Sequence, residues 1–269
     1  MRRGGYNAGM AESIQPNDVR AFNRRAWDLQ VEGGNPWTIP VGPEVIAAAR
    51  KDEFSLLLTE QLPVPHDWFP PLAGCRILCL ASGGGQQGPV LAAAGARVTV
   101  FDNSPRQLAR DREVADREGL SLQTVEGDMR DLSAFADESF DLVFHPVSNV
   151  FVPDVLPVWR EAARVLCHGG LLLAGFMNPV VYMVETGADG TLEIQHSIPY
   201  SDLQTPSGKY AQHRLDVGEP LEFGHSLGDL LGGQCAAGFI ITGLYEDRFL
   251  DDPIAAFCAT YLATRAVKP

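Results

Sequence analysis

The sequence predicts an α/β fold, a mostly parallel sheet with helices on both faces. Three observations predict it. Short apolar runs alternate with helical stretches from about residue 75 onward, the first run meets Gly83-Gly84-Gly85, and the second ends on Asp102. Strand–helix–strand units of this length join by right-handed crossovers, which lay successive strands parallel.

Residues 1–70 precede that rhythm and are punctuated by Pro and Gly. Ala21 to Val31 reads as a short helix broken by Glu32-Gly33-Gly34-Asn35-Pro36. Pro43 to Leu62 reads as a second helical stretch, with Pro43 where a helix tolerates a missing N–H and Leu62-Pro63-Val64-Pro65 as its stop. This is too little periodic apolar surface for a core of its own, so residues 1–70 are expected to fold as a cap on something larger.

The regular part begins with Arg76 to Ala81, a short apolar run that reads as a buried strand entering a glycine turn. Gln86 to Ala94 is a short helix, and Arg97 to Asp102 a second strand. Ser104-Pro105-Arg106-Gln107 opens the next helix: Ser104 can cap it, Pro105 suits its first position, and Gln107 completes a capping box. Gly119 ends it. Leu122 to Glu126 and Phe140 to His145 are the third and fourth strands. A helix then runs to about Leu166, and Leu171 to Phe176 is the fifth strand. Phe239 to Tyr245 and Phe257 to Ala266 read as two closing strands. Residues 177–234 are too long for an ordinary loop and predict an inserted subdomain that covers a substrate, leaving 71–176 and 235–269 as the core.

Composition narrows the function. The chain has 269 residues, 45% hydrophobic and 20% charged, which suits a globular body. A formal net charge of −13 repels a phosphate backbone, so nucleic acid is not expected as a partner. No apolar run is long enough to span a bilayer, and MRRGGYNAGMAES lacks the apolar centre of a signal peptide. Cys75, Cys79, Cys167, Cys235 and Cys258 are odd in number and sit mostly in apolar segments, which reads as buried, reduced thiols. No second Cys/His pair stands at zinc spacing. A soluble cytoplasmic enzyme with no metal is the class expected; oligomeric state is left open, as is a start at Met1 or Met10.

In an open parallel sheet, ligands bind beyond the carboxyl ends of the strands, and the glycine turn and Asp102 both fall there. Glycines let the backbone approach a ligand, and an acid ending the second strand can accept both hydroxyl protons of a ribose. A nucleoside-containing cofactor follows. Gly83-Gly84-Gly85-Gln86-Gln87-Gly88 also matches G-x-G-x-x-G, which keeps a dinucleotide open.

The wider pattern resembles the class I S-adenosylmethionine-dependent methyltransferases, most closely the small-molecule enzymes of bacteria. The likeness rests on five elements in order: Arg76 to Gly85, Val100 to Pro105, Val125 to Met129, Ser139 to Pro146 and Arg164 to Leu172. It covers residues 72–177 well and 225–269 in outline. The family often has an acid at Cys79 and a glycine at Ala81, and this chain has neither. The resemblance implies a Rossmann-like seven-stranded sheet with its last strand antiparallel, an N-terminal helical lid, and S-adenosylmethionine as cofactor with S-adenosylhomocysteine as product. It implies that Ala81, Ser82, Gly83 and Gly85 line the methionine and ribose, with Gln86, Gln87 or a cap residue as candidate replacements for the lost acid. Asp102 holds the ribose, Asn103 lies beside the adenine, and Gly127, Asp128 and Met129 form the turn that receives the adenine edge. Asn23, Trp27 and Trp37 come from the lid. His145 closes the fourth strand near the transferred methyl, as a general base or as a hydrogen-bonding residue. His196, Tyr200, His213 and His225 belong to the insertion, and His225 is the catalytic candidate among them.

The function expected is methyl transfer to a small molecule, with the accepting atom (oxygen, nitrogen, sulfur or carbon) undecided. Two alternatives stand beside it. An NAD-dependent oxidoreductase would use Gly83, Gly85 and Gly88, but no Tyr-x-x-x-Lys pair occurs after Tyr182, Tyr200 or Tyr210. A non-catalytic S-adenosylmethionine-binding protein is the other.

Overall fold

The computed structural model describes residues 19–187, 189–204, 213–214 and 216–269. Seven strands form the central sheet: β1 (Arg76–Leu80), β2 (Arg97–Asp102), β3 (Leu122–Glu126), β4 (Phe140–His145), β5 (Leu166–Met177), β10 (Ile240–Asp247) and β11 (Tyr261–Val267). Four short strands, numbered β6 to β9, lie between β5 and β10 in the chain. The spatial order is β3-β2-β1-β4-β5-β11-β10, and β11 alone runs antiparallel to both its neighbours.

The sheet is covered on both faces, which is why β1 reads as an unbroken apolar run. Ile77 and Cys79 join one buried cluster, Leu78 and Leu80 the other, and all four are 0% exposed. On the first face pack α2 (Pro43–Ala49), α3 (Gln87–Ala93) and α4 (Pro105–Glu118). On the second packs α5 (Leu156–Val165), which buries Val158, Trp159, Ala162 and Val165 along one stripe. Ser104 Oγ accepts the Gln107 N–H at 3.1 Å and Gly119 closes α4 at φ 65°, as the sequence predicts. Gln107 does not complete a capping box, however: the Ser104 N–H donates to Asp102 Oδ1, and Gln107 Oε1 has no partner.

Three expectations of local structure need correction. The helical stretch from Pro43 ends at Ala49 instead of continuing to Leu62. Asp52 turns the chain at φ 64°, and the following segment runs extended, so that Leu56 and Leu58 enter the core and the Leu58 carbonyl accepts the Val147 N–H at 3.0 Å. Strand β5 begins at Leu166 and carries His168-Gly169-Gly170 within it, because the β4–β5 register shifts between Phe140 and Leu142. The last strand begins at Tyr261 rather than Phe257, whose ring is 77% exposed after a 3₁₀ turn. The cysteines also divide: Cys75 and Cys79 are buried, Cys167 and Cys258 half-buried, and Cys235 exposed, all as free thiols.

Between β5 and β10, β6 (Val184–Thr186) pairs with β7 (Leu192–Ile194), and β8 (Tyr200–Ser201) with β9 (Phe223–Gly224). Leu221 and Phe223 share a small apolar cluster with Val19 of α1 (Val19–Gly33), so this region and the N-terminal helix meet. Among the described residues no helix is long and apolar enough to cross a membrane. Residues 1–18, which hold both possible start methionines, and Tyr210 lie outside the described residues.

Candidate active site

Strand order reverses at β1, with β2 on one side and β4 on the other, and a cleft of about 380 Å³ opens beyond the carboxyl ends of these strands. Its floor is the glycine turn. Ala81 leaves β1 in the left-handed region, φ 48°, while its N–H still donates to the Phe101 carbonyl at 2.7 Å. A side chain pays roughly 1–2 kcal/mol for that backbone, which is where a glycine would be free of cost. Gly84 follows at φ 124°, and a Cβ there would meet the Trp37 carbonyl.

Asp102 stands in the cleft wall at the end of β2. Its Oδ2 accepts the Gly83 N–H at 2.9 Å and its Oδ1 the Ser104 N–H at 2.8 Å. Burial pushes its carboxyl up to about 6, against the pull of those N–H groups. Ser82 Oγ and Gln107 Oε1 also belong to residues of this wall, and both are buried without a hydrogen-bond partner. Buried polar atoms are seldom left so, and two of them beside an acid and a bare glycine backbone fit a polar ribose and amino-acid moiety.

Asp128 and Met129 form the next part of the wall. Arg130 folds back on Asp128 as a fork, with Nη2 at 2.6 Å and Nε at 3.1 Å. Burial alone would raise the Asp128 carboxyl, but the Arg130 hydrogen bonds and charge hold it below the usual range.

The N-terminal residues wall the cleft from the other side. Gln86 Nε2 donates to the Pro36 and Ile39 carbonyls, both at 3.0 Å, and the Val41 N–H donates to the Gly85 carbonyl, so this segment is sewn to the glycine turn. Asn103 and Arg20 exchange two hydrogen bonds. Trp27 packs edge-on against Phe151 at 5.2 Å, and Trp37 is 39% exposed at the rim. Asn23, 3% exposed, donates to the Phe151 and Leu221 carbonyls and accepts the Leu221 N–H. It ties α1 to the cleft edge and to the segment before β9. The far end of the cleft is lined by Leu57 to Glu60, Val147, Met177, Arg214, Glu222 and Tyr261. Arg214 there pairs with Asp202 and Glu222, and Tyr182 donates to Glu222. Of the other insertion candidates, His196 pairs with Glu185, Tyr200 stacks on Tyr182, and His213 is exposed.

The structure thus brings Asn23, Trp27, Trp37, Ala81, Ser82, Gly83, Gln86, Asp102, Asn103, Asp128 and Met129 to one cleft. Four expected residues stand outside its wall. Gly85 faces Pro40 and Arg110, and Gly127 lies against the Phe101 ring, so both shape the turns from behind. His145 is 0% exposed, bonded through Nδ1 to the Leu80 carbonyl at 2.9 Å, and burial pushes its imidazole down to about 4. His225 is 8% exposed, its Nε2 sits 3.0 Å from the Asn149 carbonyl, and burial lowers its pKa as well. The structure therefore does not bring the two catalytic candidates, His145 and His225, to the cleft: both rings are buried and neither lines it.

Sequence reasoning missed Arg20, Gln107, Arg130, Phe151 and the Leu57–Glu60 segment, all in the cleft wall. Gln107 had a signal, because Ser104, Gln107 and Asp111 are polar residues repeating on one face of a helix. Leu57 to Glu60 had none, having been read as the end of a helix.

This sheet order, with a glycine turn and an acid in the cleft wall at its switch point, is that of the class I S-adenosylmethionine-dependent methyltransferases. A family model described as a methyltransferase domain matches residues 78–174. The uncharacterized methyltransferase YbaJ of Bacillus subtilis is 53% identical over 256 residues, covering 94% of this chain and 99% of that protein. The chain therefore belongs to this methyltransferase family. A ubiquinone biosynthesis O-methyltransferase from Methylocella silvestris is 31% identical over 62% of this chain and 65% of its own length. Among solved structures, an S-adenosylmethionine-dependent methyltransferase from Mesorhizobium loti superposes with a TM-score of 0.59 over 75% of this chain and 94% of its own, at 22% identity, a likeness of fold.

Proposed function

We propose that the protein transfers the methyl group of S-adenosylmethionine to a small-molecule acceptor in the cytoplasm and releases S-adenosylhomocysteine, without nucleic acid or membrane as partner. The observation that carries the proposal is one continuous cleft with two chemically different ends. The first has the glycine turn, Asp102, Ser82 and Gln107; the second has Leu57 to Glu60, Met177, Glu222 and Tyr261. The net charge of −13 supports the exclusion of nucleic acid.

When bound, the cofactor supplies a methyl group on an electrophilic sulfonium. The chain's own work is to bind, align and exclude water. Asp102 accepts the ribose hydroxyl protons, Ser82 and Gln107 offer their unpartnered atoms to the amino-acid end, and Asp128 with the Met129 N–H takes the adenine edge. Trp27, Trp37 and Asn23 close the N-terminal wall. No buried histidine has to move a proton: a nucleophile already carrying a free pair needs only alignment with the methyl carbon. Nothing in the relatives supports the dinucleotide alternative.

The test is incubation of the purified protein with methyl-labelled cofactor and a bacterial metabolite extract, following label transfer and S-adenosylhomocysteine release. Transfer to an extractable compound supports the proposal. Tight cofactor binding with no transfer across exhaustive extracts would instead favour a non-catalytic binding protein.

A further inference from the structure

Ser104, Gln107 and Asp111 lie along one face of α4 and are 0%, 5% and 0% exposed. Ser104 caps the helix and Gln107 lines the cleft. Asp111 does neither. It is absent from the cleft wall and makes no ion pair among the described residues, yet a carboxyl buried inside a helix is costly unless something holds it.

What Asp111 holds is the glycine turn. Its Oδ2 accepts the Gly84 N–H at 3.0 Å, an N–H that also points at the Gln107 carbonyl at 3.2 Å. The adjacent Gly83 N–H is bonded to Asp102 Oδ2. Two consecutive amides of the turn are therefore fixed by two carboxyls, one in the cleft wall and one behind it. Strand β1 offers no such group, because the fully buried residue ahead of the turn on that face is Cys79. Asp111 Oδ1 has no partner, so the carboxyl is committed to the turn and to nothing else. Burial pushes it up to about 8, against the pull of the Gly84 and Gly85 N–H groups and with Asp102 adding to the rise. The titratable neighbours are Asp102 from β2 and Cys79 from β1. As acid or as carboxylate, Asp111 keeps an oxygen for the Gly84 N–H.

We infer that Asp111 is a positioning residue that holds the glycine turn in its cofactor-accepting shape from the side away from the cleft. The inference rests on the cofactor reading of that cleft. It does not require the acceptor to be known. The neutral amide of Asp111→Asn keeps an acceptor oxygen, whereas Asp111→Val fills the space without one.

The experiment is calorimetric titration of S-adenosylhomocysteine into wild type, Asp111→Asn, Asp111→Val and Asp102→Ala, with amide hydrogen exchange of residues 82–87 in each unliganded protein. Asp111→Val is expected to weaken binding about tenfold, roughly 1.4 kcal/mol, and to speed exchange in the turn about tenfold. Asp111→Asn is expected to stay within threefold of wild type on both. A purely structural role would give variants altered in melting temperature without this rescue by the amide. Asp111→Val binding within twofold of wild type with unchanged exchange overturns the inference, as does an Asp111→Asn loss equal to that of Asp111→Val. Should the valine variant not fold, Asp111→Ala takes its place under the same criteria. Wild type that binds no S-adenosylhomocysteine removes the cofactor reading, and exchange in the unliganded proteins still decides whether Asp111 holds the turn.

Discussion

Replacing Asp102 tests the cofactor end of the cleft most directly. A carboxylate offers about four lone-pair sites, and the Gly83 and Ser104 N–H groups occupy two of them. Two remain for ribose hydroxyls, each bond to the charged group being worth about 1.5–3 kcal/mol before water competes. Asp102→Ala should therefore lose about 3 kcal/mol of S-adenosylhomocysteine affinity, roughly a hundredfold. Asp102→Asn should do little better, because its NH₂ must face a backbone N–H donor at one of the two contacts, now 2.9 and 2.8 Å long. The carboxyl also titrates at about 6. Hydroxyl donors favour its ionised form, so wild-type affinity should be flat above about pH 7 and fall by up to tenfold per pH unit below 6. Acid unfolding through Asp102 cannot mimic that fall. A carboxyl raised by folding contributes stability that is present at low pH and lost as pH rises through 6. Calorimetry from pH 5 to 8 on the three proteins reads all of this. Asp102→Asn within threefold of wild type, together with a flat wild-type profile, would refute the reasoning.

Other perturbations separate structure from chemistry. The His145 ring is pushed down to about 4, so its contribution to stability should rise with pH through the window between that value and 6.5. Wild type should lose about 2 kcal/mol more unfolding free energy than His145→Gln between pH 7 and pH 5, the raised Asp102 and Asp111 carboxyls acting in the opposite sense in both proteins, read by urea titration at each pH; equal slopes would place the titration elsewhere. Asn23→Ala leaves the Leu221 N–H and two carbonyls without their partner and should cost about 1–3 kcal/mol, seen as a lower urea midpoint. Ala81→Gly relieves a left-handed backbone at some entropic cost and should raise the melting temperature by roughly 1–3 °C in calorimetry. A fall would mean that the Ala81 methyl packs more than it strains.

The sheet was legible because β1, β2, β4 and β5 are buried on both faces and burial leaves its mark as an apolar run, whereas β3 at the edge has no fully buried residue. Ile77 to Leu80 had to be apolar whichever face each residue meets. The start of α4 was legible for a different reason: Ser104 caps the Gln107 N–H and Pro105 has no N–H to satisfy, so much of that helix end is settled within four residues of chain. The segment from Asp52 to Val64 was not legible. Its leucines are set by what they cross, the edge of the sheet at Val147 and Gly175, and those partners are about a hundred residues away in the chain. A local rule reads Leu56-Leu57-Leu58 as helix because nothing local says otherwise.

The same distinction divides the site. Ala81 to Gly83 and Asp102 announce a ligand through residue type at a strand end, and the cleft places them in its wall. His145 met that rule equally well and is turned into the core, because the carbonyl of Leu80 on the neighbouring strand captures its Nδ1. A polar residue ending a strand is thus ambiguous by itself, and what decides is whether a backbone partner lies within reach on the buried side. Asp111 shows the converse. It sits in mid-helix, where a charge reads as solvent-facing, yet seven residues after Ser104 it falls on the face that carries Leu108 and Ala115 into the protein. An acid on such a face has to meet a donor, and the amides of a glycine turn are the donors that this fold brings there.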